Sequence, residues 1–354
     1  MIEVLKTILP YISGLWTLPW ILVGFIVTII LSRFIDESKI DRVMKKIGLI
    51  LLFFFVPVLL FRVFLNVNFG KKEVEFMIIV LAILLFMYIL AYAFARYKAK
   101  KLGLKGISKN VFIKNILTNQ GRSAAFVGGA MLAIEAWRVP AAIYISLVGI
   151  ALFAAIPYIL SRMHKKESKN EDLDKISALP WYLKIYPWYL ISFVIAAILI
   201  HGVTGLTTKD LGDIGVVLTF YTAVTIPAAL YYVGSSIHPH DLKLNEMKKL
   251  FSLKPVKGDK AHWLLIRNIF FMTMILTPAI ILAFFSIFLV LNMISKEWFA
   301  VIILNAILPI TSTNMFLVPY GIDKKATALS VTWTTIVSVP LLVVLINIFA
   351  YLFA

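Results

Sequence analysis

Long apolar runs that recur along the chain, each bounded by charged breaks, constrain this sequence more than any other feature. A helix crossing a bilayer needs about 20 mostly apolar residues at a rise of 1.5 Å each. Ten such stretches are legible, over residues 18–34, 44–65, 76–97, 111–134, 139–161, 183–200, 214–237, 263–293, 298–320 and 326–354. With 61% hydrophobic and only 15% charged residues among 354, a water-soluble fold is excluded. The amino end carries Glu3 and Lys6 and shows no small-residue cleavage site after its apolar run, so the first span is expected to stay. The absence of cysteine excludes disulfides, iron–sulfur clusters and thiolate metal sites.

Net charge is +17, and its distribution orients the chain. Of 35 Lys and Arg, 26 fall in or at the edges of the connections after spans 1, 3, 5, 7 and 9 (Arg33 to Lys46, Arg96 to Lys114, Arg162 to Lys175, Lys243 to Arg267, and Lys324 with Lys325), and six on the opposite side. Lys184 starts span 6, while Arg62 and Arg122 fall inside spans. Positive charge collects on the cytoplasmic side, so both termini are expected outside a cell membrane and the linker 162–182 in the cytoplasm. The excess serves topology and anionic headgroups rather than nucleic acid.

An internal repeat is visible. Pro19-Trp20-Ile21-Leu22-Val23-Gly24-Phe25 aligns with Pro187-Trp188-Tyr189-Leu190-Ile191-Ser192-Phe193, matching at four of seven positions. Prolines then recur in order, Pro57 against Pro227 and Pro157 against Pro340. Proline and tryptophan are also common in any membrane helix. Read as a repeat, residues 1–161 and 183–354 form two five-helix halves. An odd number of crossings makes the second half enter from the opposite side, so the repeat is inverted.

Inverted repeats place substrate sites where paired discontinuous helices expose backbone groups. Helix 4 carries Asn115 and then Thr118-Asn119-Gln120-Gly121-Arg122-Ser123, six residues without a large apolar side chain. Helix 9, the matching element, carries Asn305, Pro309 and Thr311-Ser312-Thr313-Asn314. Glycine tolerates unusual backbone angles and proline removes a donor, so Gly121 and Pro309 are expected unwinding points. Free N–H groups at half-helix amino ends favour anions, and Arg122 adds a planar donor fork. The expected substrate-binding residues are therefore Asn119, Gln120, Gly121, Arg122, Ser123, Asn305, Pro309, Thr311, Ser312 and Asn314.

Ordinary readings stand beside these. Ser123, Ala124, Ala125, Gly128 and Gly129 suit close helix packing, and the helix 9 hydroxyls suit bonding back to their own helix. Arg62 and His201 lie near outer helix ends and are expected to reach the interface. His238-Pro239-His240-Asp241 reads as a solvated loop. No Asp or Glu lies well inside a span, which argues against cation coupling through a buried acid and toward uniport or potential-driven export.

The run Asn305-Ala306-Ile307-Leu308-Pro309, then Phe316 to Tyr320, Gly321-Ile322-Asp323, Ala326 to Val331 and Pro340, resembles the carboxyl end of the auxin efflux carrier family. That superfamily includes the plant PIN-formed and the malonate permease-like proteins. Gly24 to Pro57 resembles the family opening. The resemblance implies ten helices as two inverted five-helix repeats, with broken helices 4 and 9 crossing at the substrate site and Asn119 and Pro309 at the crossover. It also implies a scaffold and a transport unit with elevator-like motion. The chain departs at helix 4, where Arg122-Ser123-Ala124 stands in place of the family's usual proline.

The sequence thus reads as an all-α integral membrane secondary transporter, an efflux carrier or permease for a small organic anion. A homodimer is one assembly open to it. The alternative is a transporter-like sensor that binds without translocating. No nucleophile–base pair or metal cluster marks an enzyme, so no catalytic residue, metal or cofactor is expected.

Overall fold

The computed structural model describes residues 3–5, 19–67, 69–123, 131–132, 134–168, 181–235, 260–311, 314, 317 and 320–353. Among them the chain is helical with no strand longer than a single bridge. Ten helical elements follow in order: α1 (Trp20–Leu31), α2 (37–65), α3 (Lys71–Lys101), α4 (Gly106–Thr118), α5 (135–168), α6 (Trp181–Thr204), α7 (Gly212–Ser235), α8 (260–290), α9 (Lys296–Ile307) and α10 (Lys324–Phe353). Five stretches are long and apolar enough to cross a membrane: Ser38–Leu65, Lys71–Lys101, Gly212–Tyr232, Leu264–Val290 and Ala326–Phe353. Leu22–Leu31 and Trp188–Thr204 are shorter apolar helices. At 31 residues α3 spans about 46 Å, well beyond a hydrocarbon core of about 30 Å. This is an all-α, multi-pass membrane architecture.

The helix ends follow from local chemistry. The Gly70 amide donates to the Glu73 carboxylate at the start of α3 (2.8 Å), and the Trp298 amide to Ser295 Oγ at the start of α9 (3.3 Å). Asp323 Oδ1 accepts from the Ala326 amide at the start of α10 (2.9 Å). Each satisfies an amide that a helix start leaves without an intrahelical acceptor. In the α6–α7 connection, the Thr207 amide and hydroxyl both donate to the Asp210 carboxylate, at 2.7 Å each. That hydroxyl bond and the amide bond hold its pKa below the usual carboxylate value.

Packing is specific. α1 lies against α7 and α6 against α2; α3 packs on α4 and α5, α8 on α9 and α10. α4 also touches α8, and α5 touches α9. Two apolar clusters result. The larger joins α2, α3, α5, α6, α9, the carboxyl halves of α8 and α10 and Leu230 of α7, and includes Leu308; the smaller joins α3, α4, the amino half of α8 and α10 through residues such as Ala95, Ile116, Ile269 and Trp333, and includes Ile310.

Three helices carry a π-helical turn, Leu51–Phe55 in α2, Ala151–Ala155 in α5 and Phe271–Leu276 in α8. Each ends two residues before a proline: Pro57, Pro157 or Pro278. Proline offers no N–H, so carbonyls one turn earlier lose their intrahelical donor. Phe53 O, whose α-helical donor would be Pro57, accepts instead from the Tyr189 hydroxyl of α6 at 2.9 Å.

Arg62 departs from expectation. Rather than reaching for the interface, it turns onto α7 and donates to the Thr219 carbonyl (3.0 Å) and to Thr222 Oγ1. His201 lies in the last turn of α6, against the Leu206 carbonyl at 2.9 Å. His238 to Asp241 and most of the linker fall outside the described residues.

The α1–α7 contact depends on Gly24, where an added Cβ would run into the Tyr231 carbonyl oxygen of α7. Gly24→Ala is therefore expected to cost about 1–3 kcal/mol through overpacking. Gly202→Ala in α6, where a methyl meets nothing within 4 Å, should be neutral or gain up to about 1 kcal/mol. Thermal unfolding of the two purified variants checks both, and equal stability would remove the close approach.

Candidate functional site

Helices α4 and α9 both stop inside the bundle, for different reasons. In α9 the cause is Pro309: a residue preceding proline is driven out of the α region, and Leu308 sits at φ −53°, ψ 146°. In α4 there is no proline. The last turn tightens instead, with the Gln120 amide donating to Leu117 O and the Gly121 amide to Thr118 O, both at 3.1 Å and both spanning three residues. Asn119 assists, since its Nδ2 donates to Asn115 O at 2.8 Å and so competes for a helical acceptor.

The two segments that follow are extended and pair with each other. Arg122 and Ile310 form an antiparallel bridge. The Ser123 amide donates to Pro309 O at 2.9 Å and the Thr311 amide to Gly121 O at 3.0 Å. The Ile310 amide donates to Thr334 Oγ1 of α10 at 3.1 Å. Gly121 is favoured here by space rather than by backbone angle. Its φ is not positive, but a Cβ would press on the Leu152 side chain of α5 and lie 3.0 Å from Asn314 Oδ1.

This crossing gathers the expected residues. Asn119, Gln120, Gly121, Arg122, Ser123, Asn305, Pro309, Thr311 and Asn314 are all buried, and all lie at the two breaks or in the turn that leads into them. Ser312 lies outside the described residues. Among the described residues, Thr118 Oγ1, Asn119 Oδ1, both side-chain atoms of Gln120, Asn305 Oδ1 and both side-chain atoms of Asn314 have no hydrogen-bond partner. Buried polar atoms are ordinarily paired, so this concentration of unpaired ones sets the crossing apart from the rest of the described interior.

Arg122 is 1% exposed. Its Nη2 donates to Thr273 O of α8 at 2.9 Å, while Nε and Nη1 have no partner. The acceptor is supplied by the π-turn of α8. The Thr277 amide, which would serve Thr273 O in an α-helix, goes to Met272 O, and the next residue is Pro278. Thr273 O is thereby released and takes the guanidinium. One of the five N–H groups of Arg122 is used in this bond, leaving four. Whichever Nη2 proton Thr273 takes, one two-pronged edge of the planar guanidinium stays intact.

The half-helix amino ends expected to favour an anion would follow the two breaks, where residues 124–130 and 312–313 lie outside the described residues. The described ends of α4 and α9 at the crossing are carboxyl ends, which carry partial negative charge. Among the described residues of the crossing, Arg122 alone carries a full charge, and no Asp or Glu accompanies it.

Several residues here are absent from the sequence reading. Lys114, counted there in a cytoplasmic connection, is fully buried in α4 and donates to Tyr320 O at 3.2 Å. Its neighbour Asn115 accepts from the Asp323 amide at 3.1 Å, so α4 is tied to the α9–α10 connection as well as to the crossing. Thr327, Ser330, Thr334 and Ser338 form a buried polar stripe on α10, whose spacing of three to four residues is legible in the sequence. Thr273, Thr277, Tyr88 and Tyr144 carry no sequence signal of their own.

Thr334→Val is expected to leave the Ile310 amide unpaired and to cost about 1–3 kcal/mol, with Thr334→Ser close to wild type. Thermal unfolding in detergent checks this, and a neutral Thr334→Val would mean that α10 does not hold the crossing.

Among the described residues no group of three His, Cys, Asp or Glu is placed to hold a metal ion. No protein-family model matches the chain, and no curated protein matches its sequence.

Proposed function

We propose that this chain is a secondary transporter of a small organic anion in the cell membrane, an efflux carrier or permease of the auxin efflux carrier type. The observation that carries this reading is the crossing of α4 and α9. There, two interrupted helices present unpaired polar groups around one arginine that keeps four N–H groups free. An interrupted helix inside a membrane protein is tolerated where it is buried or lines a cavity, and paired interruptions at matching positions of two repeats mark substrate sites.

The packing supports two inverted five-helix repeats within ten spans. Exchanging α1–α5 with α6–α10 maps the α1·α7 contact onto α6·α2, α3·α4 onto α8·α9, and α3·α5 onto α8·α10, and all six contacts are present. The repeats are 1–161 and 183–354. The charge distribution supports a cytoplasmic linker at 162–182 with both termini outside.

An anion fits better than a cation or a neutral solute because the crossing holds a full positive charge and no carboxylate. Asn119, Gln120, Asn305, Thr311 and Asn314 supply polar walls, and Pro309 and Gly121 hold the two backbones together. Arg122 is the recognition group.

Saturable, electrogenic uptake of mono- or dicarboxylates or indole acids is expected in proteoliposomes, with Arg122→Ala lowering it at least about tenfold, the worth of a charge-assisted hydrogen bond. Binding without flux would make the protein a sensor, and flux of neutral or cationic solutes alone would overturn the substrate assignment. A lone cysteine at Lys169 is expected to stay shielded from an impermeant thiol reagent in intact cells. Labelling there would reverse the orientation.

A further inference from the structure

Two buried hydroxyls beside the crossing remain without a role. Tyr144 of α5 is 0% exposed and its hydroxyl has no hydrogen-bond partner among the described residues. Thr277 of α8 is also 0% exposed with Oγ1 unpartnered. A threonine in a helix often turns back to its own backbone, as Thr273 does toward Ile269 O; Thr277 does not, and its usual acceptor four residues back, Thr273 O, is taken by Arg122. Both hydroxyls belong to the neighbourhood of Arg122. Thr277 lies one turn beyond Thr273, the residue whose carbonyl holds the guanidinium, and so on the same face of α8. Tyr144 is close enough to Arg122 for the two to interact electrostatically.

We propose that Tyr144 and Thr277 contact the substrate directly and complete, with Arg122, a four-donor cradle for a single carboxylate group. This rests on the anion-carrier reading. The count supports it: the intact guanidinium edge gives two N–H donors and the two hydroxyls give one each, and an ionised carboxylate offers about four lone-pair sites. Three elements contribute, the segment after α4 through Arg122, α5 through Tyr144 and α8 through Thr277. Among the described residues, the next cation along α4 is Lys114, eight residues back and bonded to Tyr320 O. A second carboxylate therefore finds no cation of its own at the crossing, and the cradle selects monocarboxylates over dicarboxylates.

The chain contains no cysteine, so an introduced thiol is the sole target for a thiol reagent. In Thr277→Cys and Tyr144→Cys proteins, a sulfonate-bearing methanethiosulfonate should react about tenfold or more faster than a trimethylammonium one, as a local positive potential requires. Adding Arg122→Gln should abolish that preference. Acetate should protect the Thr277→Cys thiol, malonate should protect no better, and adding Tyr144→Phe should raise the acetate needed about tenfold. Thiols that react with neither reagent, or with both equally, overturn the proposal, as does protection that ignores Tyr144→Phe. Acetate protection without flux would leave the cradle standing and overturn only the carrier reading. Anion flux without a sulfonate preference would do the reverse.

Discussion

A peptide group inside a membrane protein has no bulk water to fall back on, so a helix can stop there only if something else pairs its freed N–H and C=O groups. In this chain the something else is a second stopped helix. Gly121 and Ser123 on one segment exchange hydrogen bonds with Pro309 and Thr311 on the other, and the Ile310 amide finds Thr334. Neither break is tenable alone. Each is the condition of the other, and both depend on α10 presenting a hydroxyl in the right place.

The same accounting explains the arginine. A guanidinium in a bundle interior costs several kcal/mol unless it is bonded. The fold supplies an acceptor by distorting a neighbouring helix rather than by adding an acid. The π-turn of α8 shifts the Thr277 amide to Met272 O, and Pro278 withholds the next amide, so Thr273 O is free to receive Arg122. α2 uses the same turn-plus-proline arrangement to offer Phe53 O to Tyr189. There it joins two helices; in α8 it positions a charge.

Much of this is legible in the residues before any coordinates. The all-helical, many-spanning character follows from apolar run length alone, and the break in α9 follows from Pro309 acting on Leu308. The break in α4 is legible as a polar run without a large side chain, although the means differ: three-residue turns and the Asn119 side chain replace the missing proline. Other features depend on tertiary neighbours that no local pattern encodes. Lys114 looks like one more cytoplasmic lysine because its acceptor, Tyr320 O, lies about two hundred residues away. Arg62 looks interfacial because α7 is not adjacent in sequence. The prolines at 57, 157 and 278 are visible, but the helical register that turns them into released carbonyls is not.

The choice of a carbonyl over a carboxylate to hold Arg122 has a functional consequence in the carrier reading. A buried acid would pair with the guanidinium more strongly, cancel its charge and occupy its fork, and an arriving anion would then have to displace it. A single backbone carbonyl fixes the side chain through one of five N–H groups and cancels nothing. The carboxyl ends of α4 and α9 add partial negative charge that helps to stabilise the arginine in the unloaded protein, yet they are dipole ends and not ions. Arg122 is thus bonded enough to be tolerated and, in that reading, free enough to bind. That balance follows from Pro278 and the π-turn before it, in a helix that never enters the crossing.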